Sequence, residues 1–559
     1  VLYFDLAAIS YSSFSICSFC HRLVDIVVET SDWSYHTTSS VACPTAVLEF
    51  DATHLTRMPA GAVKLPGPYT GNAAWAGSRL PEETSELNEL ERPWLLLPVT
   101  RAEARLDSQI GEADDGGIAL LDSNERFRKK PALRSLHRRF ALRRSRRWIL
   151  FGLVVFLCSL AGYFYTSEAG INTIWIPDSD SISFGRKPLP PQLERSKITN
   201  YTLPLRTKGR NIVDREDRRF KLASINWYGA SDELFVPGGL DVQHRRVIAQ
   251  TIKRLGFNSV RLPYADELVT KNPVIDARLV KANKDLVGLR ALDILEAVTT
   301  TLTEEGIAVI INNHITRATW CCGANPCDAA WTNDYLMGIC KVTQSEDEWI
   351  HNWETVMTRF VNNSLVIGAD LRNEVRGLWG TMPWHKWARA AERCGNRLLE
   401  LNPDWLIVVE GTESANDLRG VAKRPVRLQV ANKLVYSAHV YAWSGWGSFG
   451  GRFSKRSYAS FRDSMREHWG YLLHDEVAPV WVGEIGAPQV PVSVGDVRYW
   501  KNLWRYLDEV DADFGYWALN PRKPAGNVSE GYSLLKDDWV GVVLDYRMMS
   551  MVKAMRRDE

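Results

Sequence analysis

The chain has 559 residues, 45% of them hydrophobic and 24% charged, with a formal net charge of +2. That length exceeds one ordinary domain, and the balance excludes a wholly disordered chain. The near-neutral total conceals a segregation of charge. Residues 126–147, "RFRKKPALRSLHRRFALRRSRR", hold eleven Lys or Arg and no acid.

Residues 1–57 precede the first methionine, Met58, and mix apolar and small residues without a period. They read as an extended gene model or fragment, with translation expected to start at Met58. From 58 to 125 the chain is acidic and broken by Pro and Gly ("PEETSELNELE", "GEADDGG"). Such a segment cannot bury enough apolar surface to fold, so 1–125 is expected to be a disordered cytosolic region. The basic juxtamembrane segment 126–147 then runs into "WILFGLVVFLCSLAGYFY", residues 148–165, eighteen residues without a charge. This fits a transmembrane helix at the short end of the ~17–25 residue range. A signal-peptide core would be shorter and near the N-terminus, and a buried core helix sits poorly beside so dense a cationic flank. Positive flanks stay cytosolic. The pattern therefore predicts a single-pass type II membrane protein with its remainder lumenal or extracellular, at the cell surface or in the secretory pathway. The glycosylation sequons at Asn200, Asn362 and Asn527 all follow the span. The basic block has a topogenic purpose here, so no nucleic-acid partner is expected.

Residues 166–205 contain "GRKPLPPQLERS" and little periodicity, and read as a stalk. From 206 to 559 short apolar runs alternate with helical stretches. The runs are 221–229, 257–264, 307–314, 365–374, 405–411, 433–441, 479–486 and 514–521. Helices such as "VQHRRVIAQTIKRLG" and "WARAAERCGNRLLEL" separate most of them. Eight strands alternating with helices predict an α/β fold, a (β/α)8 TIM barrel. A doubly wound open sheet is the rival, but no glycine-rich phosphate loop follows the first strand.

In a barrel the C-terminal strand ends converge on one mouth. Here those ends supply Trp227, Arg261, His314, Asn373 with Glu374, Glu410, His439 with Tyr441, Glu484 and Trp517. Ionisable groups at nearly every strand end would be costly as mere structure. Glu374 follows the fourth strand and Glu484 the seventh, on opposite sides of the mouth. Two such carboxyls suit glycoside hydrolysis, in which one protonates the leaving oxygen and the other attacks the sugar or activates water. Asp370 and Arg372 share Glu374's strand parity and are expected to pair with each other, and Glu410 reads as a structural acid.

Nine cysteines are present. Cys321, Cys322, Cys327 and Cys340 crowd into one loop and are expected to form two local bridges, with three possible pairings. A zinc site is the alternative, without ligands at finger-like spacing. Cys394 is expected as a buried free thiol. Trp320 and Trp331 in that loop suit either a cleft wall or core. Trp379, Trp384, Trp443 and Trp446 are further candidates for sugar platforms.

The motifs "SVRLPY", "DLRNE", "SAHVY", "PVWVGEIG" and "YWALNP", in this order, resemble the strand ends of glycoside hydrolase family 5, the cellulase family of clan A. The likeness runs through about residues 206–546. The blocks "AAERCGNRLLELNPDWLIVVEG" and "SLLKDDWVGV" are most similar to the endo-β-1,4-glucanase branch. The resemblance implies Glu374 as acid/base and Glu484 as nucleophile, the latter kept ionised by hydrogen bonds from Arg261 and Tyr441. It implies that Asn373 binds the sugar 2-hydroxyl, that His314 and His439 line the cleavage subsite, and that Trp517 stacks under the sugar. His439 would also orient a catalytic carboxylate, and Trp227 would contact substrate. The family uses no cofactor or metal. The implied partner is a β-glucan or related polysaccharide, cut internally, with β-1,3-glucan, β-mannan and a glycosylated lipid as alternatives. An inactive membrane-anchored carbohydrate-binding protein is the other class. One departure stands out: the family has proline after the acid/base, and this chain has Val375.

Overall fold

The computed structural model describes residues 148–159, 170–323, 325–336, 338–377, 381–445, 451–523, 526 and 528–557. Eight parallel strands close a barrel in the order β8-β1-β2-β3-β4-β5-β6-β7. They are β1 (Ala223–Asn226), β2 (Ser259–Ala265), β3 (Ala308–Ile315), β4 (Val366–Asp370), β5 (Leu406–Glu410), β6 (Leu434–Tyr441), β7 (Val480–Gly486) and β8 (Asp513–Tyr516). Each falls within or against an apolar run predicted from the sequence. Helices α1 (Arg245–Arg254), α2 (Ala291–Glu304), α3 (Glu346–Thr358) and α4 (Trp384–Leu401) follow the first four strands. Two four-residue turns, Thr412–Ala415 and the 3-10 turn Arg419–Ala422, lie between β5 and β6. The helices α5 (Tyr458–Met465), α6 (Val494–Glu509) and α7 (Tyr546–Met555) follow the last three.

The alternation of strand side chains builds two separate cores. Outward-facing residues such as Val309, Ile311, Ile407 and Val409 meet the helices. Inward-facing Ala308, Ile310, Leu406, Val408 and Trp481 fill the lower barrel, closed by Ile198, Leu205, Ile212 and Phe220. A small antiparallel hairpin, Arg206–Lys208 with Asn211–Val213, supplies part of that plug. The register slips between Val309 and Ile310 opposite β4. The slip turns Ile367 into the lower core and still brings Asp370 inward, to the upper layer.

The segment expected to be a stalk packs onto the barrel from residue 171 onward. Ile171 and Ile198 are buried, Trp175 packs 5.4 Å from Tyr546, and Trp175 N–H bonds to Val492 O at 2.7 Å. Its low periodicity reflects packing through short pieces, a six-residue helix at Ser179–Phe184 and 3-10 turns at Glu194–Ser196 and Ile198–Asn200. The expected disordered region and basic segment, residues 1–147, lie outside the described residues. Within the expected span, 148–159 form a helix whose apolar side chains are exposed. Residues 160–165 lie outside the described set. Among the described residues no helix is long and apolar enough to cross a membrane.

Candidate active site

The upper barrel is organised around one cation. Arg261 on β2 is fully buried, and its three nitrogens reach five side chains. Nε donates to Asp370 at 2.7 Å. Nη1 donates to Asn226 at 3.0 Å and to Glu484 Oε1. Nη2 donates to Asn373 Oδ1 at 2.7 Å and to Glu410 Oε1 at 2.9 Å. A planar guanidinium with five donors is suited to such divergent pairing, which an ammonium cannot reproduce. Losing that charge would leave three carboxylates buried around an empty place, at a cost of roughly 3–5 kcal/mol.

Glu374 stands four residues beyond the end of β4, at a left-handed φ of 47°. A β-branched neighbour follows it, and Val375 is buried in the outer core. Burial pushes the Glu374 carboxyl up to about 7, against the pull of Arg376 and Arg261. A carboxyl with that value is partly protonated at neutral pH, a state from which it can give up a proton. His439 on β6 meets Glu374 Oε1 through Nδ1 at 3.1 Å. Burial holds that imidazole down to about 4, helped by Arg261 and opposed by Glu484, so it is neutral at physiological pH.

Glu484 on β7 accepts hydrogen bonds from Arg261 and, at 2.8 Å, from the Tyr441 hydroxyl on β6. Its Oε2 lies 3.7 Å from His439 Nδ1. One oxygen of each glutamate and the histidine nitrogen lie within 4.8 Å of one another. That spacing suits a cation geometrically, but Arg261 already supplies a full positive charge to the Glu484 carboxylate. The glycine after the strand pair has a steric reason. A Cβ on Gly486 would stand 2.7 Å from Trp517 O and from a Tyr532 ring carbon.

These groups open onto a cleft with a cavity volume of about 260 Å³, lined by His314, Asn373, Glu374, Tyr441, Glu484 and Trp517, among others. Trp517 is its floor. Its ring lies nearly parallel to those of His314, 5.5 Å away and tilted 11°, and Tyr228, 4.9 Å away and tilted 3°. Trp443 stacks on Tyr441 at 5.1 Å, and Trp320 forms a wall with the Lys523 ammonium 3.8 Å over its ring.

Most of the strand-end set thus converges, and some members do not. Trp227 is fully buried in the outer core, its indole N–H bonded to Gly238 O at 2.9 Å, so it does not contact the cleft. Its neighbours Asn226 and Tyr228 hold the inward parity instead. Asp370 and Arg372 do not pair: Asp370 bonds to Arg261, whereas Arg372 bonds to Asp266 and Asp328, each at 3.2 Å. β4 ends at Asp370, so alternation no longer fixes where Arg372 points. Trp331 belongs to the core, packed on Trp349 and Trp387. Trp384 bonds to Arg424 O at 2.7 Å beside Tyr436, away from the cleft lining. Trp379 and Trp446 lie outside the described residues. The loop cysteines pair as Cys321–Cys322 and Cys327–Cys340, and Cys394 is a buried free thiol.

Sequence reasoning passed over several residues. Asn226 bonds to Gly483 O and Tyr516 O, tying β1 to β7 and β8. Asn312 bonds to Asp370 at 3.0 Å and to His314 Nδ1 at 2.8 Å, fixing the ring orientation. Strand parity with Ser224 and with His314 would have identified both. Lys523, Glu530 and Tyr532 also line the cleft, from a loop without any pattern to mark them.

The geometry agrees with what the chain resembles. A family model described as cellulase (glycosyl hydrolase family 5) matches residues 221–523. An endoglucanase from Paenibacillus polymyxa is 32% identical over 353 residues, which is 60% of this chain and 82% of the relative. The major extracellular endoglucanase of Xanthomonas campestris pv. campestris is 27% identical over 359 residues, covering 60% of this chain and 68% of the relative. Among solved structures, a hyperthermophilic endocellulase from the archaeon Pyrococcus horikoshii superposes with a TM-score of 0.54 at 27% identity, over 64% of this chain and 100% of that one. With a match across more than half its length and a barrel mouth built around paired glutamates, the chain belongs to the cellulase family, glycosyl hydrolase family 5, and is a glycoside hydrolase.

Proposed function

We propose that the chain is a retaining endo-β-1,4-glucanase working by double displacement, with Glu374 as acid/base and Glu484 as nucleophile. The observation that carries this reading is the spacing of the pair, with one oxygen of each within 4.8 Å. Retaining enzymes hold their carboxyls ~5–5.5 Å apart, whereas inverting enzymes leave ~6.5–9.5 Å for a water. Glu374 protonates the glycosidic oxygen as Glu484 attacks the anomeric carbon, and the leaving chain departs with that proton. Glu374, now a carboxylate, takes a proton from water, whose oxygen displaces Glu484 and restores both groups. Asn373 is orientated by Arg261 at its Oδ1 and by the Cys321 and Cys322 sulfurs, 3.4 and 3.3 Å from its Nδ2, and the second Nδ2 hydrogen is the donor for the sugar 2-hydroxyl. His314 and Trp517 form the floor under the ring, and Tyr441 holds Glu484 for attack. A solved complex of the Pyrococcus horikoshii endocellulase with cellotetraose, at 27% identity and a TM-score of 0.52, supports a β-glucan substrate.

The catalytic domain faces the lumen or exterior on a single-pass type II anchor. The cationic block before an uncharged stretch, exposed sequon asparagines at Asn200 and Asn362, and two disulfides of an oxidising compartment support that placement.

Product analysis on a panel of β-1,4-glucan, β-1,3-glucan and β-mannan, with the first-formed anomer followed by NMR, tests the reading. Internal cleavage of β-1,4-glucan with β-anomer appearing first is expected. α-Anomer first overturns retention, cleavage of the other glycans alone overturns the linkage, and glucan binding without release overturns the enzyme. Protease added to sealed vesicles should leave the barrel intact, and its digestion would overturn the topology.

A further inference from the structure

Glu410 ends β5 fully buried, and it is absent from the cleft lining. Its carboxylate is turned wholly to protein partners. Oε2 accepts the backbone N–H of Glu374 at 2.7 Å, and Oε1 accepts Arg261 Nη2 at 2.9 Å. His439 Nε2 lies 3.5 Å from the same Oε1. One side chain therefore meets the backbone of one glutamate, the arginine bonded to the other, and the imidazole between them.

The arrangement answers a need created by the Glu374 backbone. A non-glycine residue at φ 47° holds that conformation only where its surroundings over-determine it. The residue after it is Val375, which lacks the fixed ring of a proline. The end of β5 supplies the restraint instead. Glu410 takes the Glu374 N–H, and the Ser414 N–H bonds to Val375 O at 3.3 Å. Glu410 is itself anchored, because its carbonyl accepts the Trp387 indole N–H from α4 at 2.8 Å.

A carboxyl in this place is costly. Burial pushes it well up, and so do the neighbouring Asp370 and Glu484, with Arg261 and the Glu374 N–H acting against them. The charged or titratable groups facing it are Arg261 from β2, Asp370 and Glu374 from the β4 side, His439 from β6 and Glu484 from β7. Filling space would need none of that chemistry, since an apolar side chain of similar volume does so without the desolvation cost.

We propose that Glu410 is the positioning residue for proton transfer: by gripping the Glu374 backbone and Arg261 together, it aims the Glu374 carboxyl at the glycosidic oxygen in register with Glu484. The proposal rests on the assignment of Glu374 as acid/base, and its test separates the two.

Full-length protein is assayed on two aryl β-cellobiosides, one with a dinitrophenyl leaving group that departs without a proton and one with a phenyl group that needs it. Glu374→Gln tests the underlying assignment. Glu410→Gln keeps shape but puts an NH2 where one acceptor stood, and Glu410→Asp keeps the carboxyl group and withdraws it by one methylene. For Glu410→Gln, kcat/KM on the phenyl substrate should fall about 10²-fold while that on the dinitrophenyl substrate stays within about threefold. Glu410→Asp should show the same skew at smaller size, and it decides the matter if the Gln variant does not fold. Equal losses on both substrates in the Glu410 variants, beside a skewed Glu374→Gln, overturn the proposal alone. An unskewed Glu374→Gln overturns the acid/base assignment and the proposal with it.

Discussion

Glu374 and Glu484 carry the same functional group in opposite surroundings. Glu484 faces a guanidinium and a phenol, both donors, whereas Glu374 faces a neutral imidazole and apolar burial. The difference has a kinetic consequence. With Glu374 pushed up to about 7, the proton that the proposed mechanism draws from it is lost as pH rises through that value. On β-glucan, kcat/KM should therefore fall about tenfold per pH unit above ~7, because the free enzyme's acid governs that limb. On a dinitrophenyl cellobioside, which needs no proton, the alkaline limb should be absent. A limb of equal slope on both substrates would show that Glu374 is not the acid. At this scale the sequence was legible where parity held. Asn226 and Tyr228 face the barrel axis, and Trp227 between them cannot, because successive strand side chains point to opposite faces. Trp227 stands at a strand end but on the outward parity, so its ring enters the outer core.

The loop after β3 governs how the turn carrying Glu374 is held. Its Asp328 bonds to Arg372 and Arg376, each at 3.2 Å, and its Ala329 carbonyl accepts the N–H groups of Arg376 and Gly377. The loop is stapled by Cys327–Cys340, thirteen residues apart, and by Asn333 and Gln344 bonded to each other at 2.7–2.9 Å. Closing a loop of that length restricts the unfolded chain by about 3 kcal/mol. Replacing both cysteines by serine should lower the unfolding free energy by roughly that amount in guanidinium denaturation. An unchanged midpoint would mean that the Asn333–Gln344 bonds suffice. The crowding of four cysteines was legible in the sequence, but their pairing was not. Three pairings have equal standing until the backbone brings particular sulfurs together.

Across the whole molecule, burial of the site couples catalysis to stability. Glu374 titrates near 7 when folded and near 4.5 when unfolded, so between those values the native state holds the extra proton. Its contribution to stability is complete below pH 4.5 and is lost as pH rises through about 7. His439, held down to about 4, runs the other way across much of the same window, which hides the effect in the wild type. The Glu374→Gln variant should therefore gain about 3 kcal/mol relative to wild type between pH 4.5 and 8. Denaturation curves at the two pH values check this, and parallel curves would contradict it. The variant that loses activity should be the more stable one at alkaline pH, as expected where a site holds an ionisable group out of water.

The sequence by itself determined the eight strands, the residues at their C-terminal ends and the two glutamates. Period-two burial and apolar runs are local properties, and a closed barrel leaves strand ends only one place to converge. Tertiary structure alone decided the rest. It set the five-way sharing of Arg261, the grip of Glu410 on Glu374, the stacking of Trp517 with Tyr228 and His314, and the packing of residues 171–205 on the barrel. Each joins residues far apart in the chain, and no local pattern encodes distances between strands before the barrel closes.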